Sequence, residues 1–321
     1  MNFVGHDEAW REWRAAMASG RMHHGWLIAG PRGVGKGAFA RAAARELVAE
    51  PGMPQPEAGT HPDILVLEPL PDGDDEAKKR DEGKPYKRKR NIAIDQIRAM
   101  QQRLVTRPTL GARRAIIVDP ADDMEKGAVN ALLKSLEEPP VGTFFVLVAH
   151  RPGRLLATVR SRCRLLRFAP LGDGEVDAIL RRQAPEADVD ARAAAVAAAE
   201  GSPGTALSFV HHDLGRLHAL MQRIIAQDDA DLALRAALAD QLGARPDRER
   251  VLAVLELARA TLAQVLAGAS REHQLRIIEA HSAIVGLAAQ APTFNFDSGL
   301  LMMEIGGLLA SAAQPRAAAH P

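Results

Sequence analysis

The segment Trp26-Leu27-Ile28-Ala29-Gly30-Pro31-Arg32-Gly33-Val34-Gly35-Lys36-Gly37 constrains the fold more than any other stretch of these 321 residues. An apolar run leads directly into a glycine-rich loop that carries a lysine, and Phe39, Ala43 and Leu47 then recur at spacing four on one helix face. Strand, tight loop and helix in this order make a phosphate-binding turn, in which backbone N–H groups and a helix N-terminus surround anionic oxygens. Gly33 and Gly35 permit the tight backbone, and Lys36 supplies the cation.

Four further apolar runs read as strands: Ile64-Leu65-Val66-Leu67, Ala115-Ile116-Ile117-Val118 ending at Asp119, Phe144-Phe145-Val146-Leu147-Val148, and Cys163 to Phe168. Between the third and fourth strands of the series, Val129, Leu132, Leu133 and Leu136 follow an i, i+3, i+4, i+7 pattern that stops before Pro139-Pro140. Strands alternating with helices predict a doubly wound α/β domain, a parallel sheet flanked by helices, over residues 1–170. The pattern changes near Pro170-Leu171-Gly172. Residues 171–207 read as a small helical domain ending in Gly201-Ser202-Pro203-Gly204, and 208–312 as an all-α domain. The remainder, 313–321, reads as a disordered tail. A length of 321 residues suits two or three domains, and low aromatic content with abundant alanine favours helices packed through small side chains.

Basic and acidic residues nearly cancel, leaving a formal net charge of +1, so attraction of the whole chain to nucleic acid is expected to be weak. The single cysteine, Cys163, rules out an intramolecular disulfide and a multi-cysteine zinc site. No apolar run approaches the ~20 residues needed to cross a bilayer, and Met1 to Asp7 lacks a signal-peptide pattern, so the cytoplasm is the expected compartment. Residues 71–90 stand apart. Asp72, Asp74, Asp75 and Glu76 precede eight basic residues between Lys78 and Arg90, without apolar periodicity. They read as a solvated insertion loop, with a mobile basic arm touching DNA phosphates as the alternative. Tyr86 alone does not make a stacking platform.

The phosphate loop looks damaged. Gly37 stands where a Ser or Thr hydroxyl would hold Mg²⁺. Asp119 has the place of a metal-binding carboxylate, but Pro120 follows it where a catalytic Glu would be. Asp122 and Asp123 are expected to start the next helix, where negative charge suits the dipole. Phosphoryl transfer depends on positioned metal and water, so turnover is not expected. Two readings of Gly30, Gly33, Gly35, Lys36 and Gly37 stay open: a vestigial loop kept for fold geometry, or a weak ATP or ADP site. Elsewhere, Ser161-Arg162-Cys163 lies among Arg160, Arg164 and Arg167, so residue type alone makes Arg162 one surface cation of several.

These runs fall in the order found in the AAA+ clamp-loader subunits of bacterial DNA polymerase III, and the chain most resembles the δ′ family. The resemblance is carried by the glycine loop with its strand, His61-Pro62-Asp63, Ile94-Asp95-Gln96-Ile97-Arg98, Asn130 to Pro140, Ser161-Arg162-Cys163 and Gly201 to Leu207, spanning residues 26–207. It implies an AAA+ domain, a helical lid over 171–207, and a helical collar over 208–312 with Phe294-Asn295-Phe296-Asp297 near its last helix. It also implies that Arg162 is an arginine finger acting in trans on a neighbouring ATPase, with Ser161 and Cys163 setting the backbone that aims it. Such a finger is typically worth 10³–10⁵ in rate at the site it enters.

Departures from the family's pattern assign the subunit. Gly204 stands where the hydrolysing relative carries a sensor Arg, and Pro51 to Pro56 holds none of the cysteines of the family's zinc module, so zinc is not expected. The implied role is a non-hydrolysing, stator-like subunit. Its partners would be the τ/γ motor and δ subunits in a hetero-oligomer, with the sliding clamp and primed DNA reached through the complex. The isolated chain is expected to have no enzymatic activity, needing no cofactor; the label of DNA-directed DNA polymerase (nucleotidyltransferase) belongs to the holoenzyme. Two alternatives are an ATP-hydrolysing motor, resting on Lys36 and Asp119, and a DNA-binding module acting through 78–90.

His23-His24 and His211-His212 lack companion ligands at metal spacing and read as surface or packing residues. Trp10 and Trp13 read as packing anchors of an N-terminal helix. Glu137-Glu138, at a helix end before two prolines, reads as structural or interfacial rather than as a catalytic pair.

Overall fold

The structure is a computed structural model that describes residues 4–53, 56, 60–227, 229, 231–243, 246–266, 268–291 and 296–313. Two compact units are present, residues 1–170 and 171–321.

The first unit is built on α1 (Asp7–Ala18), β1 (Gly25–Ala29), α2 (Lys36–Val48), β2 (Ile64–Leu67), α3 (Asp74–Asp81), α4 (Ile94–Leu104), β3 (Arg114–Val118), α5 (Lys126–Glu137), β4 (Thr143–Ala149), α6 (Ala157–Arg160) and β5 (Arg164–Arg167). The five strands form one sheet in the order β2-β3-β4-β1-β5, and every pairing is parallel. The apolar runs follow from this. A central strand in a parallel sheet is covered on both faces, so its residues alternate between two cores rather than between core and water.

One core joins Leu27, Leu65, Ile116, Phe145 and Leu147 to Ile97 and Met100 of α4 and Leu132 and Leu136 of α5. The other joins Trp26, Ile28, Ile117, Val146 and Val148 to Trp10 and Trp13 of α1 and Phe39, Ala43 and Leu47 of α2. Phe39 holds the second core together, its ring 4.5 Å from Trp10 and 5.0 Å from Phe168 between centroids. The edge strand β5 is mostly exposed, and Arg164 covers Trp26 while pairing with Glu12 at 2.9 Å.

His61-Pro62-Asp63 is a structural device. The buried Asp63 carboxylate accepts N–H bonds from Thr109 and Leu110, at 2.6 and 2.7 Å, beside the buried Arg114 guanidinium. Arg114 in turn donates to the carbonyls of Arg103, Thr106 and Arg107, which fixes the turn between α4 and β3.

Two expectations need correction. Residues 71–90 are not loop throughout, since Asp74–Asp81 is helical. Asp74, Asp75 and Glu76 in its first turn and Lys78, Lys79 and Arg80 in its last complement the helix dipole, although none of its residues is buried. Asp122 and Asp123 do not start α5. They lie in a 3-10 turn, Ala121–Asp123, and α5 begins at Lys126. Asp122 is taken up instead by the N–H groups of His150 and Arg151, at 2.9 and 3.1 Å.

The second unit is helical among its described residues: α7 (Asp173–Gln183), α8 (Val189–Ala198), α9 (Pro203–His211), α10 (Gly215–Gln227), α11 (Ala233–Leu242), α12 (Arg248–Leu266), α13 (Arg271–Gln290) and α14 (Ser298–Ser311). Ser202 caps α9 through Thr205 N–H, with Pro203 at its first position. The boundary expected after residue 207 falls inside α9. The tail from 314 onward, and Phe294 and Asn295 of the collar signature, lie outside the described residues.

Candidate functional site: a phosphate loop and an outward arginine at opposite ends of the sheet

All five strands point the same way, so the sheet has one carboxyl edge and one amino edge. Gly30, Gly33 and Gly35 lie at the carboxyl edge between β1 and α2, Lys36 and Gly37 open α2, and Asp119 follows β3 beside them. Gly33 and Gly35 adopt φ of 79° and 96°, left-handed backbone that glycine enters without strain. Lys36, though buried, donates 2.8 Å to the carbonyl of Gly30 and also to that of Pro31. Burial pulls its ammonium down to about 8 against the opposing charges of Asp122 and Asp119.

The sequence reading missed Arg41, one helical turn beyond Gly37. Its Nη1 donates to the Asp119 carboxylate at 2.9 Å and to the Gly37 carbonyl at 3.2 Å. A Cβ placed on Gly37 would stand 2.5 Å from Asp119 Oδ2 and 3.1 Å from Arg41 Nη1. The donor set therefore does not fit a magnesium ion. The hydroxyl ligand is missing, the space for it is taken by the carboxylate, and that carboxylate already holds a guanidinium. Arg41 Nη2 continues to Glu68 at 3.3 Å, and Glu68 pairs with Arg88 at 2.9 Å. This chain of charges links the loop to the base of the 71–90 insertion, where Pro71 bridges Arg88.

His150, directly after β4, was also missed. Burial, together with the nearby Lys36, pushes its imidazole down to about 4, and its Nδ1 has no hydrogen-bond partner among the described residues. Its only sequence signal is its place at the end of a buried strand.

Ser161, Arg162 and Cys163 lie at the other end. The turn follows α6 and enters β5, whose partner β1 starts at Gly25. A Cβ on Gly25 would meet the Arg162 carbonyl at 2.8 Å and Cys163 Sγ at 3.3 Å. Cys163 packs against the core, and burial pushes its thiol up to about 12, which suits packing rather than nucleophilic chemistry. Ser161 Oγ donates to the Thr158 carbonyl at 3.2 Å and tightens the turn. The Arg162 side chain is partly exposed. Its Nη1 donates to the Thr158 carbonyl at 2.9 Å, and Nη2 lies 2.7 Å from Glu137 Oε1. Arg162 thus stands at the amino edge of the sheet, with the length of the five-residue strand β1, about 16 Å, between that edge and the phosphate loop.

The partner of Arg162 was visible only as a helix end. Glu137 is the last residue of α5, and His24 Nε2 bonds the Leu136 carbonyl one residue earlier at 2.9 Å. Glu138 makes no ion pair among the described residues.

Comparison with known proteins finds relatives of this chain. The chain is 34% identical over 210 residues to DNA polymerase III subunit delta' of Escherichia coli K12, covering 62% of this chain and 58% of that protein. It is 35% identical over 211 residues to the subunit delta' of Pseudomonas aeruginosa PAO1, covering 61% and 59%. The matches thus span somewhat under three-fifths of each relative's length. A crystal structure of a DNA polymerase III gamma subunit-related protein from Thermotoga maritima shares the fold, with a TM-score of 0.50 at 19% identity over 94% of this chain and 98% of that one. The family described as DNA polymerase III, delta subunit, matches residues 5–172, the whole sheet domain with both ends of the site, and the chain belongs to that family.

Proposed function

We propose that this chain is a non-hydrolysing subunit of a clamp loader, placing Arg162 in the ATP site of the neighbouring motor subunit. One observation carries the reading: Arg162 and the chain's own phosphate loop sit at opposite ends of one sheet. A guanidinium so far from its own loop serves a phosphate held by another subunit. There it would stabilise charge developing on the transferred phosphoryl group, while this chain contributes no metal of its own. The Arg41–Asp119 contact weighs against a motor role, because it occupies the carboxylate such a motor would need.

In this reading the sheet domain presents the arginine, residues 171–207 form a lid, and 208–312 pack into a collar with the τ/γ and δ subunits. Sliding clamp and primed DNA are reached through that assembly, in the cytoplasm. No helix among the described residues is long and apolar enough to cross a membrane.

Two experiments on purified protein test the reading together. The full chain should co-purify with τ/γ and δ as one complex, and alone should release no phosphate from ATP above background. Brisk hydrolysis by the isolated chain, abolished by Lys36→Ala, would overturn it.

A further inference from the structure

We infer that Glu137 is a positioning residue for Arg162. It holds the guanidinium against its own subunit until a neighbouring triphosphate displaces it. The inference rests on the clamp-loader reading above and adds to it a control on when the arginine engages.

The geometry gives Glu137 this task. Its carboxylate takes Nη2 of Arg162 at 2.7 Å, while the Thr158 carbonyl takes Nη1 at 2.9 Å. Nη1 also reaches Ser161 Oγ at 3.4 Å, and a guanidinium has five N–H donors, so these contacts do not use up the fork. Neither partner is buried: the Arg162 side chain is 35% exposed and that of Glu137 is 49% exposed. An ion pair in such a setting is weak and readily exchanged. A triphosphate offers more negative charge than one carboxylate, and it would repel Glu137 from the same guanidinium. The arginine therefore changes partners instead of holding both.

The position of Glu137 is itself fixed. Helix α5 ends there, Pro139 and Pro140 prevent its continuation, and Gln101 Nε2 ties α5 to α4 through the Ala131 carbonyl and Ser135 Oγ, at 2.9 and 3.1 Å. The helix end that carries Glu137 is thus fixed, and the long side chain of Arg162 is the partner with the reach to leave.

The test is a double-mutant cycle in the reconstituted loader, following ATP hydrolysis with and without clamp and primed DNA. Glu137→Gln removes the charge and keeps the shape. It should raise the unstimulated rate about two- to fivefold, the range that an exposed ion pair supplies. The increase should shrink at high salt, and Glu138→Gln should leave the rate unchanged. In an Arg162→Ala background Glu137→Gln should do nothing, because nothing remains to hold. A Glu137→Gln rate that is unchanged, or lowered as in Arg162→Ala, overturns the inference, as does an effect that persists without Arg162. If Arg162→Ala alone leaves hydrolysis at the wild-type level, the clamp-loader reading of the arginine fails instead, so the two failures are distinguishable.

Discussion

Arg41 Nη1 lies 2.9 Å from Asp119 Oδ2, across the position that a side chain on Gly37 would enter. This guanidinium supplies the positive charge that a metal ion supplies in an intact phosphate loop. Restoring the missing hydroxyl alone should therefore not restore chemistry. Gly37→Ser is expected to leave the isolated chain without measurable ATPase, since its Cβ would be 2.5 Å from the carboxylate oxygen. Any nucleotide binding should also be insensitive to magnesium, which calorimetric titration with and without EDTA would check. Magnesium-dependent hydrolysis in the single variant would contradict this.

The buried Asp63 carboxylate carries two backbone N–H groups and faces Arg114. Asp63→Ala leaves those two donors without their acceptor and the buried Arg114 without its counter-charge, and should cost about 3–5 kcal/mol in urea unfolding. Asp63→Asn keeps an acceptor oxygen and should cost less. Equal losses for the two would show that the charge, and not an acceptor oxygen of the right shape, governs this turn.

Stability should fall as pH drops below about 6.5. The pKa values of His24, His61, His150, His218 and His281 are all lowered, with burial the leading cause in each. A depressed value means that the unfolded chain takes up protons first, so this contribution is present above 6.5 and is lost on acidification. For His150 the loss extends toward pH 4, where its own value lies. Between pH 7 and 5 the urea midpoint of His150→Asn should drop less than that of wild type. An identical drop would remove His150 from the account.

The Cys163 thiol should resist alkylation. With its value pushed from 9.0 to about 12 by burial, the reactive thiolate at pH 8 is scarcer by two to three orders of magnitude than in the unfolded chain. Maleimide labelling followed by mass spectrometry, native against denatured, measures the ratio. Comparable rates would place Cys163 in an open turn.

Much of this was legible in the sequence because the signals were local. The run Trp26–Ala29, the left-handed glycines and the spacing of Phe39, Ala43 and Leu47 each declare themselves within a few residues, and the structure places all of them in the elements expected. Sheet order was not legible, since parallel neighbours such as β1 and β4 are over a hundred residues apart and carry no pairing signal of their own. The same limit hid the partners of the site. Arg41 and Asp119 are 78 positions apart, and nothing near either residue names the other. Glu137 read as a helix end because its contact with Arg162 appears only when α5 and β5 meet at the same edge. The helix in 74–81 escaped because it has no apolar face; its order rests on charges placed along the dipole and on local ion pairs such as Lys79–Glu76 at 2.7 Å.

The most direct measurement is single-turnover ATP hydrolysis by the reconstituted loader, resolved for the motor site adjoining this chain, with wild-type protein and with Arg162→Ala. Loss of the guanidinium should slow that site by about 10³-fold or more while assembly and nucleotide affinity stay near wild type. An unchanged rate at that site would contradict the account at its centre.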